Sequence, residues 1–142
     1  MKPPQQKIAH FDDHARFYDI VIKTNPRYLA MLDFHLASLD ACDDVLDSGA
    51  GTGNLTLPLL QRGKRVCAVD NSDDMITQLR EKCKEYSSRF EIRKRDLTQP
   101  LDFPDGSFDG TASCYVVPYV NEPVYFSENC SILLLFPNDK LN

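Results

Sequence analysis

Val45-Leu46-Asp47-Ser48-Gly49-Ala50-Gly51-Thr52-Gly53 passes from apolar residues into three alternating glycines. Val45-Leu46-Asp47 reads as the end of a short buried strand. The glycines carry no Cβ, so the backbone can turn sharply and approach a ligand closely. A helix is predicted next, from about Asn54 to Arg62, stopped by Gly63. Its first turn presents unpaired N–H groups and the positive end of the helix dipole, a setting that favours an anionic group.

Working outward, the same alternation repeats. Arg65 to Val69 reads as a second strand closing on Asp70. Ser72-Asp73-Asp74 opens a helix running to about Tyr86, with a capping residue followed by acids against the dipole. Ile76, Leu79 and Cys83 share one face of it. Phe90 to Lys94 is predicted as a third strand ending near Asp96, Pro104-Asp105-Gly106 as a turn, Phe108 to Cys114 as a fourth strand, and Pro123 to Leu133 as a helix. Upstream, Asp12 to Ile22 suits a short helix. Asn25-Pro26 suits the start of another, whose apolar face is Leu29, Leu32, Leu36 and Leu39. Strands alternating with helices predict an α/β fold: a doubly wound, Rossmann-like, mostly parallel sheet with helices on both faces.

In such sheets ligands sit beyond the carboxyl ends of the strands, at the switch point. Asp47, Asp70 and Asp96 fall at the ends of three successive predicted strands. A carboxylate at Asp70 suits ribose hydroxyls. The glycine spacing separates cofactor classes. A dinucleotide fingerprint, G-x-G-x-x-G starting at Gly49, needs glycine where Asn54 stands, which counts against a nicotinamide-dependent oxidoreductase. The D-x-G-x-G-x-G pattern points instead to S-adenosyl-L-methionine (SAM), whose methionine carboxylate would be the anion at the helix start.

The nine-residue run resembles the first motif of class I SAM-dependent methyltransferases. Val66-Cys67-Ala68-Val69-Asp70-Asn71-Ser72 resembles their second motif, Arg95-Asp96-Leu97 the third, and Phe103 to Gly110 the stretch leading into the fourth strand. The flavour is that of small-molecule methyltransferases such as the ubiquinone/menaquinone and biotin-pathway enzymes. The resemblance covers about Phe11 to Leu133. It implies that Gly49, Ala50 and Gly51 lie under the methionine part of SAM, with Asp47 orienting the turn and holding the amino group. It implies Asp70 at the ribose, Asn71 and Met75 flanking the adenosine, and Asp96 and Leu97 at the adenine. Cys114 would sit near the methionine chain, and Tyr18 would belong to the N-terminal lid. Ser48 departs from the usual aliphatic residue. The implied reaction is an in-line displacement at a sulfonium, in which positioning supplies most of the rate. No catalytic residue is forced by that chemistry. His14, Tyr18, Tyr115 and Tyr119 are candidate bases by position only, and His10 and His35 are weaker, with His35 expected to be exposed.

The net charge of -5 and the hydrophobic content of 42% suit a globular domain and argue against nucleic acid as a partner. Arg89, Arg93, Lys94 and Arg95 cluster, and read best as a solvated strand edge. Cys42, Cys67, Cys83, Cys114 and Cys130 show no paired spacing, so neither zinc nor a disulfide framework is expected. The N-terminus has no apolar leader and no apolar run is long enough to span a membrane, so a cytoplasmic location is expected. One domain is predicted over 1–142: a helical lid over 1–43, a βα core over 44–133 and a short tail over 134–142. The tail stops before the last strands of the family's seven-stranded sheet. The acceptor is expected to be a small molecule. The short tail leaves the fourth strand as an open edge, to be covered either by Leu133 to Phe136 or by a second copy or partner chain. It also keeps in play an alternative, a catalytically inactive SAM-fold protein acting through that partner.

Overall fold

The computed structural model describes residues 24–113 and the strand Leu133–Leu135. In chain order these form α1 (Pro26–Ser38), β1 (Asp44–Ser48), α2 (Thr56–Gln61), β2 (Arg65–Asp70), α3 (Asp73–Cys83) with a 3₁₀ turn at Lys84–Tyr86, β3 (Phe90–Lys94), β4 (Gly110–Ser113) and β5 (Leu133–Leu135). The strands make one sheet in the order β3-β2-β1-β4-β5. Every pairing is parallel. The strand order reverses between β1 and β4, so the switch point lies at the glycine turn that follows β1.

The helix starts follow from local chemistry. Asn25 caps α1 by accepting from the Arg27 N–H at 3.0 Å, with Pro26 in the first turn. Ser72 caps α3 by accepting from the Met75 N–H at 3.2 Å, and Asp73 and Asp74 follow. α2 begins at Thr56, two positions later than predicted. Leu57 N–H bonds Gly53 O, but Pro58 has no N–H to give Asn54. The helical ladder becomes continuous only from the Leu59 N–H to Leu55 O bond onward.

The two sheet faces are covered differently. On one, Val45, Val66, Ala68 and Ala112 pack with Leu36, Leu39, Leu59, Leu60, Leu79 and Cys83 from the three helices and the turn after α1. On the other, Leu46, Cys67 and Val69 pack with Leu101, joined by Leu97, Phe103 and Phe108 of the connection between β3 and β4. That exchange of faces on crossing β1 is what a right-handed doubly wound sheet requires.

Three expectations change. α1 buries Tyr28, Met31, His35 and Leu36, and leaves Leu29 43% exposed. The real stripe lies one residue over from the leucine stripe and shares Leu36 and Leu39 with it. It carries His35, which is fully buried rather than exposed, its Nδ1–H donating to the Met31 carbonyl at 2.8 Å. Leu133–Leu135, expected as a helix end and tail, pairs with Thr111–Ser113 as β5. Of the two covers expected for β4, the one seen is therefore the chain's own segment and not a partner chain. The described sheet has five strands, short of the seven that the resemblance implies. Asp12 to Ile22 and Pro123 to Ile132 lie outside the described residues.

Gly110 was read only as part of a strand, yet a Cβ there would stand 2.7 Å from Leu39 Cδ2 and 2.8 Å from Cys42 Sγ. The turn after α1 lies against the backbone of β4 at that point. Gly110→Ala should cost roughly 1–3 kcal/mol through overpacking. A lowered urea midpoint with unchanged slope would show this, and an unchanged midpoint would mean the turn can back away freely.

Candidate functional site

The turn after β1 is tied back into the sheet. Gly49 and Ala50 both donate their N–H groups to Val69 O, at 2.7 and 3.0 Å, so the chain doubles over the carboxyl end of β2. Gly49, Gly51 and Gly53 all have positive φ, at 74°, 57° and 93°. A Cβ on Gly53 would also stand 2.6 Å from Leu79 Cδ1, so α3 packs directly on the turn. Lys82 of α3 reaches over it, its Nζ 3.2 Å from Asn54 Oδ1 and 3.5 Å from Thr52 Oγ1.

The three expected aspartates take different roles. Asp70, half-buried at the end of β2, accepts from the Gly51 N–H through Oδ2 at 2.8 Å. Its Oδ1 accepts from the Ser72 N–H at 2.9 Å. Asp70 therefore clasps the turn to the start of α3. Asp96 is exposed, and its Oδ1 accepts from the N–H and hydroxyl of Thr98 at 2.9 and 2.7 Å.

Asp47 is 1% exposed. Thr56 Oγ1, at the start of α2, donates to its Oδ2 at 2.5 Å. Its Oδ1 has no hydrogen-bond partner among the described residues. Burial pushes this carboxyl from an ordinary 3.8 up to about 7, the Thr56 hydroxyl pulls the other way, and the charge of Asp70 adds to the rise. A buried carboxyl oxygen without a hydrogen-bond donor is costly to the fold when it is charged.

Two further buried hydroxyls lack partners, Ser48 Oγ and Ser113 Oγ. Ser48 is fully buried on the face that carries Leu46, and so is costlier than the mild loss expected of it. Ala50 and Asn71 are half-buried, Met75 is fully buried, and Leu97 packs against the Leu46 cluster. The fold thus brings Asp47, Gly49, Ala50, Gly51, Asp70, Asn71 and Met75 to the carboxyl ends of β1 and β2. Asp96 and Leu97 follow β3. Tyr18, Cys114 and the candidate bases His10, His14, Tyr115 and Tyr119 lie outside the described residues. Thr56 was missed because only the fold, not its spacing, sets it against Asp47.

The members of the basic cluster differ in their partners, and among the described residues the exposed Arg95 guanidinium donates only to the Lys94 carbonyl. Arg89 Nη1 donates to Leu60 O and Lys64 O, Arg93 pairs with Glu91, and Lys94 pairs with Asp73. An open cleft of about 280 Å³ lies by Asp44, Arg65 and Phe90. Those residues begin β1, β2 and β3, so it sits at the opposite end of the sheet from the glycine turn. Cys67 and Cys83 are buried thiols pushed up to about 11, which makes them poor nucleophiles. Among the described residues no group of side chains could hold a metal ion, and no helix is long and apolar enough to cross a membrane.

Residues 45–133 match the family model described as a methyltransferase domain. The chain is 40% identical over 81 residues to a phosphatidylethanolamine N-methyltransferase of Cereibacter sphaeroides, covering 56% of this chain and 39% of that one. It is 36% identical over 106 residues to a demethylmenaquinone methyltransferase of Tropheryma whipplei, covering 70% and 42%. It is 43% identical over 70 residues to a ribosomal RNA small subunit methyltransferase A of Anaeromyxobacter, covering 49% and 23%. A solved S-adenosylmethionine-dependent methyltransferase from Clostridium acetobutylicum superposes with a TM-score of 0.56 at 27% identity, over 72% of this chain and 43% of that one. The chain spans less than half the length of each of these proteins.

The Asp47 carboxyl has a folded pKa above its unfolded value, so the folded state holds the proton more tightly. Stability is then greatest at low pH and is lost as pH rises from about 4 towards 7. Asp47→Asn removes the titrating group and keeps an oxygen for Thr56. Relative to the unsubstituted chain it should gain roughly 2–3 kcal/mol on going from pH 5 to pH 8. Urea midpoints at the two pH values measure this, and a flat difference would mean that Asp47 titrates as an ordinary surface acid.

Proposed function

The chain belongs to the family of methyltransferase domains, and on that premise we propose that it binds S-adenosyl-L-methionine over the turn after β1 and methylates a small-molecule acceptor. The observation that carries the reading is the fully buried Oδ1 of Asp47 beside that turn, which has no hydrogen-bond partner among the described residues. The amino group of the methionine part of SAM is a cation of the right size to answer it. The glycines leave room above the backbone, and the start of α2 offers N–H groups to the methionine carboxylate. Asp70, positioned by Gly51 and Ser72 at the end of β2, meets the ribose hydroxyls. Asn71 and Met75 flank the adenosine. The free side of Asp96 and the Leu97 N–H meet the adenine edge, and the resemblance adds Tyr18 from the N-terminal lid and Cys114 near the methionine chain.

SAM supplies an electrophilic methyl on a sulfonium. The chain's own task is to hold it, align an acceptor and exclude water. A small acceptor is favoured over RNA by the charge of the chain. The net charge is -5, and of the cations along β3 Arg93 pairs with Glu91 and Lys94 with Asp73, which lowers the surplus of positive charge that phosphate binding rests on.

Calorimetry should show SAM binding by the full chain. Release of S-adenosylhomocysteine should then follow with demethylmenaquinone or phosphatidylethanolamine vesicles, and not with small-subunit ribosomal RNA. Transfer to the RNA alone would overturn the acceptor class, and binding without transfer to any of the three would favour the non-catalytic alternative. Gly51→Val should abolish measurable SAM binding while costing the fold about 1–2 kcal/mol, because its φ is 57°. Retained affinity would remove the turn from the site.

A further inference from the structure

Asp47 is the buried acid among the described residues, and its surroundings offer it little compensation. From β2, Asp70 brings a second negative charge. From α2, the only polar contribution is the Thr56 hydroxyl, since Thr56–Gln61 carries no charged side chain. From β4, the in-register neighbour is Ala112. From α3, Cys83 offers a thiol whose own ionisation Asp47 opposes, and Lys82 directs its ammonium at Asn54 and Thr52 across the turn. Cys67, which also feels Asp47, is a buried neutral thiol of β2. Among the described residues a full charge on Asp47 is therefore poorly compensated, and Oδ1 is the oxygen on which a proton sits without disturbing the Thr56 bond.

Resting on the cofactor reading above, we propose that the chain exchanges a proton for its ligand: Asp47 Oδ1 carries a proton in the free protein below neutral pH and gives it to solvent when the ligand's ammonium arrives. The proton and the ammonium are alternative answers to one carboxylate. Cofactor affinity is then set by pH through a residue of the site itself. At pH 6 close to one proton is released per ligand bound, and at pH 8 almost none. The apparent Kd for SAM is about tenfold weaker at pH 6 than at pH 8.

The test is titration calorimetry of the full chain at pH 6 and pH 8, each in two buffers of different ionisation enthalpy, which counts protons directly. SAM and S-adenosylhomocysteine both carry the ammonium and should release a proton at pH 6. 5′-Methylthioadenosine keeps the adenosine and lacks the amino-acid part, so its binding should be proton-silent and flat with pH. Asp47→Asn should bind SAM without proton release. SAM binding at both pH values with no proton release, or equal release with 5′-methylthioadenosine, would overturn the proposal while leaving the cofactor reading intact. No SAM binding at either pH would overturn the cofactor reading itself.

Discussion

Between Ser48 and Thr56 the backbone has to leave a buried parallel strand, reverse, and re-enter as a helix on one face of the same sheet. Everything at this site depends on how that is done. The solution seen here uses positive-φ glycines and ties the turn to the neighbouring strand through Val69 O. At Gly53 any side chain would meet Leu79 of α3. The turn that results is a run of glycines near the centre of the sheet, with the carboxylates of Asp47 and Asp70 beside it. Such a setting suits a zwitterionic, nucleoside-bearing ligand far better than an apolar one.

The cost of that arrangement falls on Asp47. A carboxyl with one hydroxyl for company and a like charge nearby is a destabilising element of the free fold at neutral pH. Its persistence at the end of a central strand makes sense if the folded chain usually holds something positive beside it. Local strain and unmet polar groups of this kind concentrate where a protein acts, and they separate the Asp47 end of the sheet from the Arg65 end. At the latter, the guanidinium and Asp44 satisfy each other with bonds of 2.5 and 2.7 Å.

Much of this was legible in the sequence, for local reasons. The Asn25-Pro26 and Ser72-Asp73-Asp74 starts are set by side chain-to-backbone bonds within three residues. The glycine turn and the strand-end aspartates follow from spacing alone. What escaped was set by packing. Two stripes on α1 have the same periodicity, and only contact with the sheet chooses the one with Tyr28, Met31 and His35 over Leu29. Leu133–Leu135 is a bare apolar triplet, as compatible with a helix end as with a strand until β4 is there to pair with it. Pro58 was in view, but its effect on the start of α2 depends on which carbonyl lacks a donor. The demand for glycine at position 110 belongs to Leu39 and Cys42, which are remote in sequence. Thr56 and Asp47 meet for the same kind of reason.

The double grip of Asp70 on Gly51 and Ser72 bears on how chains of this shape should be interpreted. An aspartate that pins a turn to the next helix is demanded by folding whether or not a nucleoside ever binds. A descendant that had given up chemistry and kept only its architecture would still retain that residue. Its presence in a sequence therefore testifies to the scaffold first. Asp47, which the scaffold would be more comfortable without, is the better witness to a working site.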